Sequence, residues 1–217
     1  MQFIKNAGYA LLTGCLLITV TMVLHPAGGN VETILKIKTL IMSTHALAVL
    51  SMPFCMMGFR GLTKLLGSER FLSFSAYAIS VFGLIAAMCA GTVNGFVLPL
   101  FVQRYAGADT ATVETIKPVL RYASSLNHGF DYIFIGAMCL SILFWSIVML
   151  QVKKCSQWLA WLGIVIFVAA VGMLLGGFVL VDLYGFRVFV FSIVTWIIWA
   201  GVCLIRTREK NTINFKS

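Results

Sequence analysis

Six stretches of this sequence run for about 20 residues or more with at most one charged side chain each, at 6–24, 39–59, 71–101, 126–150, 158–181 and 186–205. That pattern constrains the chain more than any motif, because about 20 apolar residues are what a helix needs to cross the hydrocarbon core of a bilayer. Hydrocarbon supplies no hydrogen-bond partners, so each stretch must satisfy its own backbone amides and carbonyls, which selects helices. The fold class that follows is an all-α, polytopic integral membrane bundle of six transmembrane helices. It fills residues 1–205 and leaves a short basic tail at 206–217. Pro99 is placed to kink or end the third helix. The first stretch follows Lys5, is longer than a signal-peptide apolar region, and has no A-x-A site after it, so it reads as a retained span.

Composition agrees. Only 11% of the 217 residues are charged and 60% are hydrophobic, whereas a soluble domain carries roughly 25% charged residues. Such a chain cannot cover its surface with polar groups, and the lipid bilayer is the partner its surface requires. The net charge of +9 forms no continuous basic patch, which argues against nucleic acid. Lys and Arg instead flank the apolar stretches. Lys5, Arg60, Lys64, Arg70, Lys153, Lys154, Arg206, Arg208, Lys210 and Lys216 fall on one side, and Lys36, Lys38, Arg104, Lys117, Arg121 and Arg187 on the other. The excess of positive charge predicts that both termini are cytoplasmic, in the plasma membrane if the source is bacterial. Trp158, Trp161 and Trp199 fall near the same cytoplasmic edge, where indole rings favour the interface.

The longest connection, 103–125, is then external. Within it 112–122 reads as a short amphipathic helix broken at Pro118, with Val113, Ile116, Val119 and Leu120 as its apolar side, lying on the outer surface. A faint repeat pairs Ala7-Gly8-Tyr9-Ala10 with Ser75-Ala76-Tyr77-Ala78, as if helical hairpins were duplicated. The six cysteines, Cys15, Cys55, Cys89, Cys139, Cys155 and Cys203, contain no CxxC spacing. Five lie in apolar stretches, where free cysteine acts as a small apolar residue, so neither a disulfide nor a thiol redox motif is expected. Small residues at Gly83, Ala87, Gly91 and Gly95, and at Gly172 and Gly176, make ridges along which helices approach closely, within one chain or in a homo-oligomer.

The polar side chains that lie inside or at the ends of the spans carry the functional information. His25 ends the first span, His45 lies a few residues into the second, and His128 opens the fourth. Asn94, Asp131, Asp182 and Arg187 occupy the corresponding outer parts of the remaining helices. Ionisable groups in membrane spans are costly and mostly face a bundle interior or a water-filled cavity. His45 is about 15 residues, or about 22 Å, from Arg60, which puts it below the outer interface. Ser124, His128 and Asp131 share a helical face with Asn127 beside it. A carboxylate one turn from an imidazole can bond its ring N–H and raise its basicity. His25-Pro26 followed by Gly reads as a helix stop.

These residues predict a small-ligand, metal or cofactor site toward the outer side, centred on His45, His128 and Asp131 with His25 beside them. Asn94, Asn127, Ser124, Asp182 and Arg187 support it. Haem b between His45 and His128 and zinc on the three histidines are two versions of that site. Copper(I) on His45, Met52 and Met56 is a weaker third. The alternatives are a small-solute or proton-coupled transporter using Asp131, Asp182 and His45, and a non-catalytic assembly or sensing subunit. No phosphate-binding loop, nucleophile elbow or kinase signature occurs.

Overall fold

A computed structural model describes residues 1–26 and 29–207. Its helices are α1 (Gln2–Leu24), α2 (Val31–Lys36), α3 (Lys38–Leu66), α4 (Phe71–Thr92), α5 (Leu98–Gln103), α6 (Thr110–Val152), α7 (Gln157–Leu175) and α8 (Leu183–Arg206), with a π-turn (Val93–Val97) joining α4 to α5. Six helical stretches are long and apolar enough to span a bilayer: α1, α3, the continuous run Phe71–Gln103, α6, α7 and α8. The protein is a multi-pass helical membrane protein. Of the basic tail expected at 206–217, all but Arg206 and Thr207 lies outside the described residues, as do positions 27–28 in the first turn.

Three boundaries differ from the sequence reading, each for a physical reason. The second span runs past Arg60 and Lys64 to Leu66. Those cations do not end it because Lys64 reaches over the ring of Phe3, 5.0 Å from its centroid, and Arg60 over Tyr77 at 6.0 Å. The stems stay on apolar surface while the charges find π-faces.

The 103–125 connection, expected to be external, is not a separate surface helix. From its cap, where the Asp109 carboxylate accepts from the Thr112 amide at 2.7 Å, α6 continues unbroken for 43 residues, about 65 Å at 1.5 Å per residue. Pro118 removes one amide, but the carbonyl it would have bonded lies among exposed residues, where water replaces the lost bond. The fifth span stops at Leu175, short of Val181. Gly177 takes φ +78°, and the amides of Gly177 and Phe178 turn back onto the carbonyls of Leu174 and Met173. That is a Schellman stop, which needs glycine in the left-handed region.

The helices pack as a chain of neighbours: α8 on α1, α1 on α3, α3 on α4, α4 on α6, and α6 on α7, with α7 touching α8 more lightly. The first two hairpins suggested by the faint repeat are therefore tight and the third is loose. In lipid there is no hydrophobic drive between helices, so close backbone approach carries more of the association. A Cβ at Gly58 would lie 2.1 Å from Leu11, one at Gly61 equally close to Ala7, and one at Gly8 2.8 Å from the carbonyl of Gly201. Of the ridges read from sequence, Gly83 packs on Ala137 of α6 within the chain, whereas a Cβ at Gly172 would meet nothing.

The end of the bundle that carries the termini is closed. Phe59, Trp145 and Trp196 stack there, with ring centroids 4.9 and 6.1 Å apart. Trp145 Nε1 donates to Thr63 Oγ1 at 3.1 Å and Trp196 Nε1 to the Leu159 carbonyl at 3.0 Å. At the opposite, histidine end, a small second core of Val31, Ile34, Ile41, Val102 and Ile116 joins α2, α3, α5 and α6. Val113 and Leu120 pack against it, while Val119 is exposed.

One expectation is overturned outright. Cys155 and Cys203 form a disulfide, with Cα atoms 6.0 Å apart. The sequence hides it because 48 residues separate the two. The α7–α8 hairpin returns the last turns of α8 to the start of α7, where Cys155 waits in the connection. The bridge lies at the end that carries Lys153, Lys154 and Arg206. Disulfides persist in oxidising compartments, so the bridge and the positive-charge excess point to opposite orientations of the bundle.

Labelling decides between them. With cytoplasmic termini, an impermeant maleimide should modify Thr110→Cys in intact cells and Glu69→Cys only after permeabilisation. The reverse pattern would put the termini and the Cys155–Cys203 bridge on the outside.

Candidate functional site

An elongated cavity of about 480 Å³ opens at the histidine end, within the range of about 300–1,000 Å³ found for small-molecule pockets. Its walls come chiefly from α1, α3, α4, α6 and α8, with Ile34 of α2, Asn94 of the π-turn and Leu98 of α5 joining them, and none from α7. Along α3 it reaches from Ile41 and His45 at the top to Phe59 at the floor. Fourteen positions separate His45 from Phe59, about 21 Å of helix. The upper wall holds His25, His45, Asn94, Ser124, Asn127, His128, Asp131 and Asp182, and the lower wall is apolar: Met52, Cys55, Leu84, Phe134, Met138, Ile193 and Ile197. Eight of the nine polar residues singled out from sequence thus share one cavity. Arg187 does not line it. Its guanidinium donates to the His25 carbonyl at 2.7 Å and ties the start of α8 to the end of α1.

His45 is buried, 6% exposed. Its Nδ1 lies 2.8 Å from the Ile41 carbonyl. A carbonyl only accepts, so Nδ1 carries the proton and Nε2 is left as an acceptor. The helix that faces His45 is shaped to admit it. The π-turn places Gly95 so close that a Cβ there would lie 2.1 Å from His45 Cβ. Pro99 explains the π-turn locally: it has no amide to bond the Gly95 carbonyl, and the Leu98 amide reaches back five residues to Val93 instead. Such π-turns recur at functional sites, and this one turns Asn94 into the cavity wall.

His25 packs its ring 4.9 Å from that of His45, and its Nδ1 donates to the Pro26 carbonyl at 3.0 Å. Burial, and then the neighbouring His45, pull its pKa from 6.5 down to about 4, against the opposing bond to Pro26. It is therefore a neutral imidazole at neutral pH.

The fourth-span cluster forms differently from the expectation. Asp131 does not bond His128. Its Oδ2 accepts from Asn127 Nδ2 at 2.7 Å. Residues four apart share the buried face of α6, while His128 is turned about 100° away from Asn127 and is exposed at the cavity rim. Asn127 and Asp131 are each 7% exposed. Asn127 Oδ1 is buried with no hydrogen-bond partner, and among the described residues no cationic side chain pairs with Asp131. Asp182 has a second duty, since its Oδ1 caps α8 by accepting from the Gly185 amide at 2.6 Å.

Among the described residues no three His, Cys, Asp or Glu side chains gather as a metal site, so the three-histidine zinc arrangement is not formed. The haem arrangement required His45 and His128 as opposed ligands, and they differ in kind: one buried on α3, one exposed on α6. Met52 joins His45 at the cavity wall but Met56 does not. The apolar lower wall was not legible as part of a site, because each of its residues reads as ordinary core.

No protein family, curated protein or solved structure matches the chain. Inference about function therefore rests on its own residues.

The depressed His25 value has a consequence for stability. In the unfolded chain His25 takes up a proton near pH 6.5, and in the folded protein only near 4. Its contribution is thus fully present above about pH 6.5 and is lost as pH falls through about 4. Thermal unfolding of purified protein should show a lower midpoint at pH 4.5 than at pH 7.5, and His25→Gln should shrink that difference. An unchanged difference in His25→Gln would mean that His25 is not buried beside His45.

Proposed function

We propose that this membrane protein binds a small amphiphilic molecule, with its polar head among His45, Asn127 and Asp131 and its apolar part against the lower wall. The observation that carries this reading is one cavity whose upper wall is polar and whose lower wall is apolar down to Phe59. A purely polar solute gains nothing from the lower wall, and a purely apolar one leaves the buried acceptor of Asn127 without a partner. Leaving such a group unmet costs about 1–3 kcal/mol, so an occupant that meets it gains that much.

A through-path for a solute is not supported by the same geometry. The histidine and aspartate side chains that line the cavity stop at the histidine end, and Phe59, Trp145 and Trp196 pack together at the other. Holding, sensing or presenting a ligand fits a cavity with one open end.

Native mass spectrometry tests the reading. Protein purified in a mild nonionic detergent should carry a discrete amphiphile at about one equivalent. Ala48→Phe, which puts a ring into the cavity one turn below His45, should lose the adduct while keeping its helical circular dichroism. Equal adducts on both proteins would contradict binding in this cavity.

A further inference from the structure

We infer that the occupant is an amphiphilic amine, held with its ammonium head at Asp131 and Asn127. This rests on the amphiphile-binding reading and names the chemical class of the head.

Charge comes first. The protein carries 16 Lys and Arg against 7 Asp and Glu. Yet the cavity is lined by two carboxylates, Asp131 and Asp182, and by no Lys or Arg. The cavity inverts the sign of the molecule as a whole, and a site lined by one sign of charge concentrates ligands of the other. A phosphate or fatty-acid head would meet carboxylates and no cation.

Hydrogen bonding gives an independent argument. Asn127 is more than nine-tenths buried, and its Oδ1 has no partner. Its Nδ2 is already committed to Asp131, which makes the free atom an acceptor. The carboxylate of Asp131 accepts, and His45, with Nδ1 engaged by the Ile41 carbonyl, presents an accepting Nε2. At the head of the cavity these three groups, Asn127 Oδ1, the Asp131 carboxylate and His45 Nε2, all offer acceptors. A protonated amine has three donors and no acceptor, whereas a ketone or ester head offers only more acceptors. A charged donor on a carboxylate is also about twice as strong as a neutral pair.

Access follows from how α7 ends. At Gly163 this helix is wedged between α6 and α8, where a Cβ would lie 2.1 Å from Ser146 Oγ and 2.7 Å from Trp196 Nε1. Toward its end it packs more lightly: a Cβ at Gly172 would meet nothing within 4 Å and Leu175 is 85% exposed, while Met173 still packs on the core. The backbones of α6 and α8 scarcely approach one another, and at this level Phe134 bridges to Phe186 and Phe189. The exposed rim residues Ser124, His128 and Asp182 mark the opening. The opening lies beside the polar wall that takes the head.

The test uses the full chain in nonionic detergent, with dodecylamine, dodecanol and dodecanoate as probes and the thermal midpoint as the readout of binding. Dodecylamine should bind about tenfold or more tightly than dodecanol or dodecanoate. Asp131→Asn should remove that preference, lowering the affinity for dodecylamine far more than that for dodecanol. Asp182→Asn, which keeps the α8 cap because Asn also caps, should weaken the amine by a smaller factor, and it stands in should Asp131→Asn fail to fold. Equal binding of all three probes, or a preference for dodecanoate, would overturn the ammonium assignment and leave the amphiphile site intact. Binding of none of them to the wild-type chain would overturn both.

Discussion

Hydrocarbon gives a polar group no partner, so every such group between the helices must find one inside the protein. This constraint organises the bundle. At the terminus end Trp145 bonds Thr63 and Trp196 bonds the Leu159 carbonyl. Thr63 and Ser73 exchange hydroxyl-to-carbonyl bonds between α3 and α4, and Thr21 bonds the Thr44 carbonyl between α1 and α3. These bonds join neighbouring elements at depths where water cannot substitute, and they fix which helices lie side by side. Against that background Asn127 Oδ1, on the cavity wall and without a partner, is an exception that calls for something outside the chain.

The cavity is the outcome of several local departures from ideal packing acting together. Pro99 withholds an amide, the helix before it widens into a π-turn, and Gly95 then lets α3 bring His45 up against it. The Gly176–Gly177 stop ends α7 early, and its last turns are largely exposed. The long α6 carries its first turns up to the second core, where Ile116 joins Val31 and Ile34. None of these would be needed for a tightly filled six-helix bundle. Each leaves space or a polar group at the same end.

Much of this was legible in the sequence. The six spans are visible because lipid demands long apolar runs, and the polar layer is visible because ionisable groups inside them are rare. What period and composition could not give are the relations between helices. A disulfide across the α7–α8 hairpin depends on where two turns end, and Cys203 looked like one more apolar position. The partner of Asp131 depends on rotation about the α6 axis. His128 and Asn127 are adjacent in sequence, yet only Asn127 shares the buried face with Asp131. The proline in α6 was read as a break, but helices tolerate proline where the freed carbonyl meets water. The apolar floor of the cavity resembles core because, without an occupant, nothing in its composition distinguishes the two.

If the Asn127–Asp131 pair is kept for a ligand, it does not serve folding. Replacing both partners by apolar residues of similar size removes the unmet acceptor and the unpaired carboxylate together, which in other proteins is neutral or stabilising by about 1–4 kcal/mol. The direct measurement is therefore the unfolding free energy of a doubly substituted protein, Asn127→Leu with Asp131→Leu, beside that of the wild type in the same nonionic detergent. The expected result is equal or greater stability together with complete loss of amphiphile binding. A double variant that unfolds far more easily, by about 3–5 kcal/mol, would show that the pair holds the bundle together and would contradict its assignment as the head of a binding site.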